Sequence, residues 1–288
     1  MPTPENGSID VQLSEAPQGP VAPAAVSPAW HTLVLAAGII AVSVHGASRF
    51  SVMHGPLNRL ATYGFTAAME TAMLAWVALG MRLKKIPLRS LLGAFSFSFR
   101  SISLDLCIAA AFWFASLMVL GTLSLAWSGA ETALTYKPAP THPAGQSGKA
   151  GQTGQPGKSL ATDPARQQAL RALAELAPAN SMEIAAWTLL CLLVGFVEEI
   201  IFRGYLQRQF ISWARGGVGV GVLASAAVFG GAHAYQGVRA MVLLAVYGAL
   251  FSVLAINRRS LRAGMFAHGW HDLIAGLTLA FLRSNHVI

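Results

Sequence analysis

The sequence predicts an all-α fold, a polytopic integral membrane bundle of about seven transmembrane helices, and three observations predict it. The 288-residue chain is 54% hydrophobic and only 11% charged, with a mean hydropathy of +0.53, whereas soluble domains carry about 25% charged residues. Its apolar residues fall into windows of roughly 20 residues, the length a helix needs to cross the hydrocarbon of a bilayer. Its basic residues gather in short segments between those windows.

Residues 1–30 are rich in Pro, Ala and Ser, with three acids and no Lys or Arg. They lack the basic start of a signal peptide and read as a disordered tail. Residues 31–127 hold three apolar windows, His31–Phe50, Tyr63–Met81 and Leu104–Trp127. Glu70 sits in the middle of the second window, with His45 or Arg49 of the first as possible partners, and either tunes substrate access or stabilises packing. Leu88 to Phe99 is short and rich in Leu, Ser and Phe, and is expected in the membrane interface.

Residues 128–181 read as a low-complexity linker followed by an amphipathic helix. Ser128 to Thr162 is too poor in apolar residues to fold alone. Gly157-Lys158-Ser159 resembles the end of a phosphate-binding loop, but Gln152 stands where that loop needs its first Gly and Pro156 intervenes. Between Gln167 and Leu176, Leu170, Leu173 and Leu176 share a helical face and Arg171 and Glu175 pair at i and i+4. That helix is expected on the outer membrane surface.

Residues 182–288 supply four more windows, Met182–Phe202, Val218–His233, Arg239–Asn257 and Gly264–Leu282. The net charge of +8 does not point to nucleic acid, because the basic residues are dispersed without interleaved aromatics. They read as topology signals. Arg82, Lys84, Lys85, Arg89 and Arg100 follow the second window, Arg208 and Arg215 the fourth, and Arg258, Arg259 and Arg262 the sixth. This puts those loops and the N-terminus in the cytoplasm, in what is expected to be a bacterial inner membrane. Lys137, Lys149, Lys158, Arg166 and Arg171 lie in the long outside loop and run against the trend.

The chemistry-bearing residues cluster in these last windows. Glu198 and Glu199 are adjacent inside an apolar stretch and are followed by Arg203. A charge near a bilayer centre costs roughly 2.5 to 3.5 kcal/mol on insertion scales, which makes a carboxylate pair there a functional candidate. Glu199 and Arg203 are four residues apart and can neutralise one another on a helix. Glu198, about 100° away, is left to face a cavity as a general base; a purely structural ion pair is the alternative. Gly216 and Gly217 give a turn, and Glu198 and His233 lie at similar distances on either side of it. An antiparallel hairpin would therefore bring them level. Gly217, Gly221, Ser225, Phe229 and His233 recur every four residues, a small-residue ridge that lets helices approach closely.

In the last window His268 and Asp272 share a face at i and i+4 and can orient an imidazole, hold a metal or stabilise an oxyanion. His271 is a further ligand or a packing residue. Cys107 and Cys191 have no metal-ligand spacing and read as small buried hydrophobes. Neither an H-E-x-x-H nor a G-x-S-x-G motif is present.

Three motifs then carry a resemblance. Glu198-Glu199-Ile-Ile-Phe-Arg203, Phe229-Gly-Gly-Ala-His233 and His268-Gly-Trp-His-Asp272 resemble, in order and spacing, the motifs of the CAAX prenyl protease and bacteriocin-processing (CPBP) membrane proteins. The resemblance covers about Met182 to Gly276. It implies an intramembrane endopeptidase with a cavity open toward the cytoplasmic side, acting on a membrane-associated or lipidated protein. It also implies that Glu198 and His233 activate water, that Glu199 and Arg203 support Glu198, and that His268 and residue 272 stabilise the oxyanion. Residue 272 is Asp here where eukaryotic members have Asn, and an ionised Asp cannot donate a hydrogen bond. Both a metal-free mechanism and a Zn²⁺ site with His233, His268 and Asp272 as candidate ligands are compatible with the resemblance. The partners implied are membrane lipid and a membrane-associated protein or peptide. The alternative is a non-catalytic scaffold, bacteriocin self-immunity or maturation-partner protein of the same family.

Overall fold

The computed structural model describes residues 24–50, 58–94, 97–135 and 173–286. Among them the chain is helical, with an isolated bridge between Gly93 and Ser260 and no strand. Helix α1 is Ala29–Phe50, α2 Arg59–Leu83 and α3 Phe99–Thr135. Helix α4, Ser181–Glu198, runs without a break through a π-helical segment, Glu199–Leu206, into α5, Gln207–Trp213. Helices α6, Val218–Gly231, α7, Val238–Arg258, and α8, Arg262–Ser284, complete the bundle.

Local chemistry sets the helix starts. Asn58 caps α2 by accepting from the Ala61 N–H, and Asn180 caps α4 by accepting from the Glu183 N–H, while the Glu183 carboxylate reaches back to the Ala179 N–H at 2.7 Å. These bonds satisfy donors that a helix N-terminus leaves open. The turn into α6 places Arg215 (φ 54°) and Gly216 (φ 96°) in the left-handed region, where glycine fits without strain.

A helix occupies each of the seven predicted windows, and among the described residues four spans are long and apolar enough to cross a membrane: Arg59–Leu83, Phe99–Leu134, Ser181–Trp213 and Val238–Arg258. With α6 at 14 residues, its length is about 21 Å, short of the ~30 Å hydrocarbon core. Helix α8 carries Arg262, His268, His271, Asp272 and Arg283. The four candidate spans fit a helical membrane bundle. The shorter and more polar ones lie against the longer ones.

Two sequence expectations are modified. The linker expected from Ser128 begins later, because α3 continues to Thr135. Arg239 holds that extension, donating to Ser124 O at 2.7 Å and Ser128 Oγ at 2.9 Å; residues 136–172, most of the expected linker and amphipathic helix, lie outside the described residues. Within the segment expected in the interface, Leu88–Leu92 forms a 3₁₀ turn whose Leu91 is fully buried. Cys191 is buried as expected, but Cys107 is exposed on the outside of α3.

Polar contacts sort the helix ends into two layers. At one end, Arg208 donates to the carbonyls of Ser90 and Leu91, Asp105 of α3 accepts from Arg258 and Arg262, and Gln209 binds the chain at Val26 and Ser27. At the other end, Arg59 pairs with Glu175 and Glu183, and Arg283 donates to the carbonyls of Ala174, Ala177 and Pro178. The bundle therefore alternates up and down, with the second, fourth and sixth inter-helix loops at one end.

Candidate active site

The site is built where α4, α6 and α8 meet. The predicted ridge on α6 docks as its spacing requires. At Gly221 an added Cβ would stand 2.2 Å from Ile211 Cγ1 and 3.0 Å from Gln207 O, Ser225 Oγ donates to Phe202 O at 2.7 Å, and Phe229 meets Phe202 edge-on. At Gly195 of α4 an added Cβ would stand 2.7 Å from Gly269 N of α8. These close approaches set how near the functional side chains come.

The two carboxylates lie at the junction of α4 with the π-helical segment. A π-turn widens the helix and is frequent at functional sites. Glu199 and Arg203 are both buried and form an ion pair of 3.0 Å. The Arg203 guanidinium is enclosed by the Phe229 and Phe251 rings, 4.4 and 4.9 Å away, and donates to Gly248 O at 3.3 Å. Aromatic faces stabilise a desolvated cation, so the pair is held from both sides.

His268, also buried, lies 3.1 Å through Nδ1 from the same Glu199 oxygen. An ionised carboxylate only accepts hydrogen bonds, which assigns the proton to Nδ1 and turns Nε2 the other way. Nε2 stands 3.6 Å from Glu198 and 3.7 Å from Asp272. Glu199 is therefore the hub, joining Arg203 on one side to His268 on the other.

Glu198 and His233 both line a cavity of about 620 Å³ whose walls come largely from α1 and α2, including Leu35, Ile39, Phe65 and Met73. His233 lies just past the end of α6, and its Nδ1 is 2.8 Å from Phe229 O. A carbonyl accepts, so Nδ1 donates and Nε2 is the nitrogen available as a base. The cavity lining extends to Thr62 and Leu176, near the start of α2.

The structure thus brings Glu198, Glu199, Arg203, His268 and Asp272 into one cluster, with His233 on the shared cavity. His271 packs its ring 4.9 Å from Tyr247. Glu70 lines the cavity with Glu198; the Arg49 side chain lies outside the described residues. Sequence spacing did not reveal the link from His268 to Glu199, the aromatic enclosure of Arg203, or Tyr235 in the cavity wall. Gly264 was also missed, and an added Cβ there would stand 3.0 Å from Glu199 Oε2.

Among the described residues no three His, Cys, Asp or Glu side chains gather as a metal-binding group. The Nδ1 of His268 is held by Glu199, and Nε2 lies between two carboxylates.

Residues 180–274 match the family model described as type II CAAX prenyl endopeptidase Rce1-like. No curated protein and no solved structure matches the chain. The matched segment contains all six candidate site residues, and over residues 180–274 the chain is similar to the Rce1-like CAAX proteases.

Proposed function

We propose that the protein is an intramembrane endopeptidase that hydrolyses a peptide bond of a membrane-associated or lipidated protein by glutamate- and histidine-activated water. The observation that supports this most is the unequal placement of the two adjacent carboxylates. Glu199 is locked between Arg203 and His268, whereas Glu198 faces a cavity that His233 also lines.

A water between Glu198 and His233 loses a proton to the carboxylate as its oxygen attacks the carbonyl carbon. The negative charge that develops on the carbonyl oxygen is met by His268 Nε2–H, which donates when the imidazole carries both protons and whose ring Glu199 and Asp272 orient. Collapse of the tetrahedral intermediate breaks the C–N bond, and the proton held by Glu198 passes to the leaving amine. One water is consumed, and a carboxylate and an amine result. No step requires a metal.

The test is a comparison of membrane proteins from cells carrying wild-type protein or Glu198→Gln. The peptidase reading expects at least one uncleaved membrane-associated species in the variant, with its processed form in wild type. Identical profiles would favour a non-catalytic role in immunity or maturation.

A further inference from the structure

Glu70 stands mid-way along α2, outside the segment that matches the protease family. It is 6% exposed, and its Oε2 is buried with no hydrogen-bond partner among the described residues. It lines the same cavity as Glu198 and His233. No Lys or Arg is among the described residues lining that cavity. Arg203, the nearby cation, is engaged by Glu199. The cavity therefore offers two carboxylates and one imidazole in walls that are otherwise mostly apolar.

A desolvated carboxylate without a donor is costly unless its occupant brings one. A wholly apolar occupant would leave both carboxylates unpaired. An apolar stretch carrying one cation would satisfy the walls and the acid together. We infer that Glu70 is a specificity-determining residue that receives a cationic group of the substrate, a Lys or Arg side chain or a free amine, set in an apolar segment next to the scissile bond. This inference rests on the peptidase reading above and names the substrate chemistry of the same cavity.

The test uses the purified full chain in lipid nanodiscs with quenched-fluorescent apolar peptides, in which each position in turn carries Lys or its neutral counterpart norleucine. Glu198→Gln serves as the blank. Wild type should cleave the best Lys peptide with kcat/KM roughly tenfold or more above its norleucine partner. In Glu70→Gln that ratio should fall toward one, and in Glu70→Asp, which keeps the charge, a preference for Lys should persist. Equal cleavage of the two peptides by wild type, or an unchanged ratio in Glu70→Gln, would overturn the subsite and leave the peptidase reading standing. Should wild type cleave no peptide above the blank, both would fall.

Discussion

Glu198 and Glu199 are neighbours in sequence and occupy opposite environments. Spacing alone disclosed the Glu199–Arg203 pair, because residues four apart meet on a helix whatever surrounds it. The bond from Glu199 to His268 spans 69 positions of sequence, and no local pattern encodes it. Breaking the pair should be severe: Arg203→Ala leaves a buried carboxylate without its cation, a loss of about 3 to 5 kcal/mol. Thermal unfolding in detergent measures it, and wild-type stability would show that the pair does not hold the site. At Gly264 an added methyl would reach the Glu199 carboxylate, so Gly264→Ala should lower turnover about tenfold or more by displacing the hub, with the protein still folded. A kinetic assay beside a melting curve separates the two effects. Turnover should also survive a strong chelator, and activity lost on chelation and regained with Zn²⁺ would contradict the metal-free route.

Among the helices, existence was easier to read than length. Apolar windows fell on seven of the described helices, since burial in lipid or protein demands the same side chains. The short α6 was legible, since its predicted window, Val218–His233, is bounded by the Gly216-Gly217 turn on one side and Gln236-Gly237 on the other. The windows did not show the α3 extension, which Arg239 stabilises from another helix. The π-helical segment was hidden for a different reason: its residues, Glu199 to Leu206, have no composition that separates them from an α-helix. Helix packing gives the sharpest expectation at this scale. At Gly195 a Cβ would meet backbone of α8 at 2.7 Å, where no side chain can yield. Gly195→Ala should therefore separate α4 from α8, costing about 1 to 3 kcal/mol and most of the activity. An unchanged melting temperature would mean the two helices are not in contact as described.

For the molecule as a whole, the up-and-down alternation agrees with the order of basic loops along the sequence, though several of those residues also have structural work, Arg208, Arg258 and Arg262 among them. Charge bias therefore located one end of the bundle without distinguishing loop cations from packing cations. If the end bearing Lys85 is cytoplasmic, cysteines placed at Lys85 and Asn285, both exposed, should label from opposite faces of the membrane with an impermeant reagent, in a background lacking Cys107 and Cys191. Labelling from one face would refute the alternation. The motifs pointed to the candidate cluster, all of which lies in the matched segment. The cavity was not legible, because α1 and α2, which form most of its walls, lie outside that segment.

The central claim is that Glu198 is the base that activates water in a site already assembled by its neighbours. It is tested most directly by the turnover of purified Glu198→Gln on a substrate identified from the membrane comparison, measured beside its thermal unfolding. The account predicts a loss of at least about a hundredfold in kcat with the unfolding temperature kept near that of wild type. Turnover at the wild-type rate in a folded Glu198→Gln protein would contradict it.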